Sequence, residues 1–179
     1  MKHSVTLGAM LAVSLGIQLG GARAEESEAQ LGRAIYAKVN CVGCHKWHGA
    51  GGGGYGGAAL SLRKTQLDRE QIVKTVTCGR PGTGMPYFLH DVYDDDAKDH
   101  PCYGYSRKDL TGDNHVAEAG TFLRPNEIEA VADYVLHNII GHGDPNLAEC
   151  VAFFGDASRV CEIYKPRTSH QMPTPSTLN

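Results

Sequence analysis

The sequence predicts a small all-α domain. Its strongest pattern is an amphipathic helix that should begin at Pro125 or Asn126 and end before Gly141, with apolar residues at Ile128, Val131, Val135 and Ile139. Two weaker helical patterns precede it. The 179 residues are 41% apolar with a formal charge of −3, which suits one soluble globular domain. This charge fits neither a basic nucleic-acid-binding surface nor a disordered chain, so we expect no nucleic-acid partner.

The other two helices are predicted from their capping residues. Ser27 followed by Gln30 forms a capping-box pattern, so the first helix should begin there and run to the turn at residue 41. Thr65 with Asp68 predicts the start of the second helix, which should end before Gly79.

Residues 1–24 have the pattern of an export signal. A basic start at Lys2 is followed by an apolar run over residues 5–19 and by the small-x-small sequence Ala22-Arg23-Ala24. The apolar run is shorter than the roughly 20 residues that span a bilayer, which argues against a retained anchor. We therefore expect cleavage after Ala24, an exported chain and no integral membrane segment after cleavage.

The motif CVGCH at residues 41–45 carries the main chemical signal. Cys41 and Cys44 followed directly by a histidine form the haem-attachment pattern, in which both sulfurs join the haem covalently and His45 becomes an axial iron ligand. A zinc half-site or a thioredoxin-like redox pair are the alternatives. The zinc site lacks a second ligand pair at similar spacing, and the redox pair would have no use for the histidine. The sequence therefore predicts one covalently bound haem c.

The sixth position of this iron is predicted to be Met85. It lies in RPGTGMPYF at residues 80–88, where Gly and Pro predict a non-helical loop able to present a thioether. Core packing is the alternative role of this methionine, and Met172 lies in a polar tail. The remaining rivals are histidines, at His48, His90, His100 and His115.

The chain resembles the class I c-type cytochromes. The resemblance rests on residues 32–36 leading into CVGCH, on Gly84-Met85-Pro86 and on residues 127–135. It implies a helical cage around one haem, with His45 and Met85 as axial ligands and no catalytic residues. It also implies that the first and last helices cross where Gly32 and Tyr36 meet Val131 and Tyr134.

The chain departs from this family in two ways. The family usually has a proline whose carbonyl holds the proximal histidine, whereas here Gly57 or Ala58 should supply that carbonyl. The domain at residues 25–164 is also enlarged, by an insert at about residues 90–122 (the insert) and by residues 141–164 (the extension). Residues 165–179 are rich in Pro, Ser and Thr and should form a flexible tail.

The additions and the end of the second predicted helix contain the four remaining cysteines. In an exported protein they should pair, and four cysteines allow three connectivities. We favour Cys78 with Cys102 and Cys150 with Cys161. The first pair would restrict the Met85 loop and oppose loss of its thioether from iron, although both pairs would equally serve as stabilising cross-links alone.

Two further groups are assigned provisional roles. Five aspartates between residues 91 and 99 lack the spacing of a calcium loop and predict a solvated acidic loop, with steering of a basic partner as the alternative. Aromatic residues flank the ligand segments and should shield the haem, namely Trp47, Tyr55, Tyr87 and Phe88.

These patterns predict a periplasmic electron carrier, not an enzyme. By resemblance, it would carry single electrons from a dehydrogenase or respiratory complex to another cytochrome or an oxidase. The alternatives are a tightly bound subunit of a periplasmic oxidoreductase and a haem-based gas sensor or peroxidase. Arg80 and His90 are the local pair that peroxide chemistry would use.

Overall fold

A computed structural model of the chain describes residues 19–54 and 57–166, which form a largely helical fold with one small sheet. The helices are α1 (Leu19–Lys38), α2 (Cys41–His45), α3 (Arg69–Cys78), α4 (Pro125–Asn138) and α5 (Leu147–Phe154). Strands β1 (Thr83–Tyr87) and β2 (Val116–Glu118) pair in parallel. Short 3₁₀ helices span Arg107–Asp109, Gly112–Asn114 and Arg159–Tyr164. The helical class is as predicted, whereas the sheet is an addition that no alternating pattern indicated.

The crossing of α1 and α4 forms the centre of the fold. Gly32 lies against the backbone of Ala130, and a Cβ placed on Gly32 would come within 2.6 Å of the Tyr134 Cβ. The rings of Tyr36 and Tyr134 pack at 5.6 Å between centroids, and Val131 is buried in the same core. The predicted crossing of Gly32 and Tyr36 with the helix at residues 125–138 is therefore confirmed. Ala130 and Tyr134 are the residues in contact with the glycine.

Replacing Gly32 with alanine should destabilise this crossing. The new methyl group would meet the Ala130 carbonyl oxygen and Tyr134 Cβ, so the helices must separate. Overpacking costs about 1–3 kcal/mol and exceeds the roughly 1 kcal/mol that alanine gains over glycine in a helix. We expect a lower free energy of unfolding in urea. Gly120→Ala is the control because a Cβ there meets no atom within 4 Å, and equal stability of both variants would contradict the close crossing.

The helix boundaries differ from the predicted ones where capping patterns were misleading. Helix α1 already runs from Leu19, so the predicted start at Ser27 is wrong: a Ser-x-x-Gln spacing also occurs within helices. The predicted start at Thr65 is wrong as well, because Asp68 is the N-cap of α3. The Asp68 carboxylate accepts from Gln71 N at 2.9 Å, and the Gln71 side chain accepts from Asp68 N at 3.0 Å. Helix α4 begins at Pro125, as predicted.

The predicted leader extends beyond the described part of the chain. Residues 1–18 lie outside it, and residues 19–24 form the first part of α1. Cleavage after Ala24 therefore stays a prediction. Within the described residues, none of the helices combines the length and the apolar character needed to cross a bilayer.

Both predicted disulfides are present. Cys78 pairs with Cys102 at a Cα–Cα distance of 5.3 Å, and Cys150 pairs with Cys161 at 5.6 Å. The first joins the end of α3 to the insert. A second small core surrounds this disulfide and combines Tyr87 of β1 with Val92, Tyr93 and Val116 of the insert. The second closes the extension on itself. Each addition is thus covalently restrained.

Arg63 attaches the extension to the rest of the domain. Its buried guanidinium donates to the carbonyl oxygens of His48 at 2.8 Å and His142 at 2.9 Å, and also to that of Gly143. It forms an ion pair with Glu149 on α5 at 3.0 Å. One side chain therefore joins the loop after α2, the chain after α4 and helix α5.

Candidate functional site

The CVGCH motif forms the short helix α2. Asn40 precedes it with φ 65°, a left-handed conformation that asparagine tolerates, and Lys46 follows it with φ 61°. The Tyr36 hydroxyl donates to the Lys46 carbonyl at 2.9 Å and so fixes the exit of the turn against α1. These two bends place the motif in one compact turn at the end of α1.

Cys41 and Cys44 are the two cysteines without a disulfide partner, because the other four are paired with each other. Both are partly exposed. Burial raises the pKa of the Cys41 thiol to about 12, so this thiol stays protonated at neutral pH. Two unpaired thiols on one helical turn in a chain that otherwise forms disulfides fit covalent attachment of haem.

His45 is held by a backbone carbonyl on its Nδ1 side. Its Nδ1 donates to the Leu60 carbonyl at 3.1 Å, so the expectation of Gly57 or Ala58 as the acceptor is wrong. Burial lowers the pKa of this imidazole, which favours the neutral ring. A neutral ring protonated on Nδ1 has its lone pair on Nε2, the atom that would bind iron.

The glycine-rich loop brings Leu60 to His45 by close backbone packing. Gly53 N donates to the Cys44 carbonyl at 2.9 Å, and Gly52 N donates to the Ala59 carbonyl at 2.8 Å. A Cβ on Gly51, which has φ 75°, would lie 2.5 Å from the Ala59 oxygen. At Gly51 and Gly53 the backbone packs so tightly that a side chain does not fit.

Met85 lies on strand β1, not in the irregular loop that was predicted. Its carbonyl accepts from Arg80 N at 3.1 Å, and its own amide donates to the Thr83 hydroxyl at 3.2 Å. The strand forms because β2, from the insert, pairs with it. The Met85 side chain is partly buried against the main core. The methionine is thus presented from a fixed backbone.

Several apolar side chains that surround the main core are only partly buried. Cys41 and Met85 both pack against the main core, and half-exposed apolar residues share this position, including Leu62, Leu67, Val73, Val76 and Leu89. Leu60, beside His45, remains 68% exposed. Partly buried apolar side chains together with the cysteine pair beside His45 are chemically compatible with a large apolar group such as haem.

The four aromatic residues expected to shield the haem have different surroundings. Trp47 packs on three aromatic rings of the extension, which belong to Phe153, Phe154 and Tyr164. Tyr87 packs on the insert, and Phe88 is buried in the main core. Tyr55 lies outside the described residues. Their role toward haem stays a prediction, although Trp47 and Tyr87 also attach the extension and the insert to the domain.

One rival ligand, His90, and one aspartate of the acidic loop, Asp94, have partners of their own. His90 is 61% exposed, pairs with Asp91 and contacts the Phe122 ring at 4.6 Å. Arg107 neutralises Asp94 at 2.6 Å, and this ion pair lowers the pKa of the Asp94 carboxyl. Asp95, Asp96 and Asp99 are exposed, as a solvated acidic loop requires.

One residue central to this region, Arg63, was missed by the sequence reasoning. It lies three residues beyond Leu60, and its guanidinium donates to the carbonyl of His48, three residues beyond His45. The local sequence carried no signal, because Arg63 is followed directly by Lys64, Thr65 and Gln66 and looks like part of a solvated polar segment. Its partners come from distant segments and carry no local pattern.

Comparison with known proteins supports the haem assignment. Residues 27–100 match the family described as cytochrome C oxidase, cbb3-type, subunit III. The matched region is less than half of the chain and contains CVGCH, Leu60 and Met85. No curated protein and no solved structure shows significant similarity to the chain. The match supports a c-type cytochrome domain that transfers electrons and binds haem c covalently.

Proposed function

We propose that this chain is an exported cytochrome c with one haem, which carries single electrons between periplasmic redox proteins. Cys41 and Cys44 would hold the haem covalently, and His45 Nε2 and Met85 Sδ would bind its iron. The observation that carries the proposal is the pair of unpaired cysteines followed by a histidine whose Nδ1 is held by Leu60. A dehydrogenase or respiratory complex would be the donor, and another cytochrome or an oxidase the acceptor.

The protein's contribution to this function is to hold two ligands in constant geometry. Bound haem supplies one-electron chemistry between ferric and ferrous iron. The Leu60 carbonyl fixes the orientation of the His45 ring, and the β1–β2 pairing restrains the backbone of Met85. His/Met ligation that persisted in both oxidation states would keep the reorganisation on electron transfer small, and the methionine ligand would also raise the reduction potential. No proton transfer or nucleophile is required.

The visible spectrum of the purified haem-loaded protein tests this proposal. The ferric form should show the weak red band of sulfur-to-iron charge transfer, and the ferrous form should not change when carbon monoxide is added, since both axial positions are filled. A missing red band together with ready carbon monoxide binding would contradict it. That outcome would favour the sensor or peroxidase alternative.

A permanent subunit of a larger oxidoreductase is the second candidate. The matching family is described as an oxidase subunit, and this chain has an insert and an extension beyond the haem-binding segments. Phe154, Val160 and Ile163 of the extension are exposed apolar residues, with Ile163 exposed to 79%. Size-exclusion chromatography of the native protein distinguishes the two, because a free carrier elutes at the mass of a single chain and a subunit elutes with its complex.

A further inference from the structure

The insert contacts the end of α3, which precedes strand β1 and Met85, through two tyrosines. The Tyr93 hydroxyl donates to the carbonyl of Cys78 at 2.6 Å, and the Tyr103 hydroxyl donates to the carbonyl of Gly79 at 2.9 Å. The disulfide to Cys102 leaves from the same Cys78. Three attachments from the insert therefore meet on two consecutive residues at the end of α3.

The acceptors of these two bonds are carbonyls at a helix end. The last carbonyls of a helix have no partner within it and need an external donor. Tyr93 is fully buried and its hydroxyl supplies such a donor, since a buried hydroxyl is costly when unpaired. The Tyr93 ring packs on the Tyr87 ring at 5.1 Å between centroids, so the hydroxyl that binds the Cys78 carbonyl belongs to a packed side chain.

The end of α3 lies directly against the strand that presents Met85. A Cβ on Gly79 would lie 2.7 Å from the Pro86 carbonyl carbon and from Tyr87 N, so the two backbones are in contact. The Phe88 amide donates to the Val76 carbonyl at 3.1 Å. A shift of residues 78–79 must therefore displace β1, and with it Met85.

The insert also holds the other side of β1. Strand β2 pairs with it at Thr83 with Val116 and at Tyr87 with Glu118. The Gly82 amide donates to the His115 carbonyl at 2.9 Å. The Met85 backbone is thus enclosed between the end of α3, fixed by the two tyrosines, and a strand of the same insert.

We infer that Tyr93 and Tyr103 are positioning residues for the axial methionine. Their hydroxyls hold residues 78–79 so that β1 keeps Met85 in the geometry that binds iron, and they oppose the movement by which the thioether would leave. This inference rests on the proposed function, in which Met85 is the sixth ligand. The insert then serves to keep the iron closed to external ligands, beyond its stabilising role.

Imidazole binding to the ferric haem-loaded protein tests this role, because imidazole reaches iron only when the methionine has left. We expect Tyr93→Phe and Tyr103→Phe each to raise the apparent imidazole affinity about three- to tenfold, as the loss of one hydrogen bond implies. The red sulfur-to-iron band should also be lost at a lower imidazole concentration than in the wild type. Both readouts report ligation and not overall folding.

Tyr105→Phe is the matched control. Its hydroxyl donates to the Asn114 side chain at 3.2 Å, within the insert and not at the end of α3. We expect less than a twofold change in imidazole affinity for this variant. If the Tyr93 and Tyr103 variants behave like Tyr105→Phe, or unfold more readily while binding imidazole like the wild type, the inference is wrong.

Failure of this inference is distinguishable from failure of the proposed function. If Met85→Ala keeps the red band, Met85 is not the ligand and the proposed function is wrong at that residue. If Met85→Ala loses the band but all three tyrosine variants match the wild type, the ligand assignment stands and only the positioning role is overturned.

Discussion

Met85→Ala should abolish the red sulfur-to-iron band and open the iron to carbon monoxide. Alanine has no donor atom for iron, so the sixth position becomes available to water or an external ligand. The reduction potential should fall by roughly 0.1 V or more, within the span of about 0.8 V that axial ligands cover. Spectra in both oxidation states, carbon monoxide titration and a potentiometric titration measure the three effects.

Met172→Ala is the control for this variant. It removes the methionine of the polar tail, outside the described residues, and should leave spectrum and potential unchanged. Attachment of haem should persist in both variants because Cys41, Cys44 and His45 are intact. Retention of the red band by Met85→Ala, or its loss in Met172→Ala, would assign the sixth ligand elsewhere.

Of the single substitutions proposed for this protein, Arg63→Ala should lower the free energy of unfolding most. The substitution removes the donor to three carbonyl oxygens and leaves the Glu149 carboxylate, whose Oε2 is already buried without a partner, lacking its cation. Removing one member of a buried ion pair costs about 3–5 kcal/mol. Urea denaturation of the haem-loaded protein measures the change, and the extension should become more sensitive to protease.

Two further variants distinguish the effect of breaking the Arg63–Glu149 ion pair from the effect of removing an arginine elsewhere. Arg69→Ala breaks the exposed bidentate pair with Asp133, whose shorter bond is 2.6 Å, and should change stability little. The double variant Arg63→Ala with Glu149→Ala should recover part of the loss, because no uncompensated charge remains. A loss in Arg63→Ala no greater than that in Arg69→Ala would contradict a structural role for the network.

The local chemistry of the site was predictable from the sequence. The attachment motif consists of five adjacent residues, and Gly32 by itself predicted that another helix could approach α1 closely, while the resemblance predicted that this helix would be α4. The disulfide pairing was a choice among three, and the structure has the same pairing. The motif depends on neighbouring residues and the helical stripe depends on a regular spacing within one helix, so both are visible in the sequence.

The supporting contacts were decided by tertiary structure alone. Leu60, not Gly57 or Ala58, accepts from His45 because the glycine loop folds back over α2 through backbone bonds that have no side-chain signature. Met85 became a strand residue only because β2, more than twenty-five residues later, pairs with it.

The same reason applies to the groups that hold the two ligand segments in place. Arg63 meets Glu149 from a distant part of the chain, and Tyr93 and Tyr103 reach the end of α3 from within the insert. Single contacts of this kind follow no period in the sequence. The sequence by itself thus predicted which residues would bind haem, while the folded chain decided what holds those residues in place, because that depends on distances between segments that are remote along the chain.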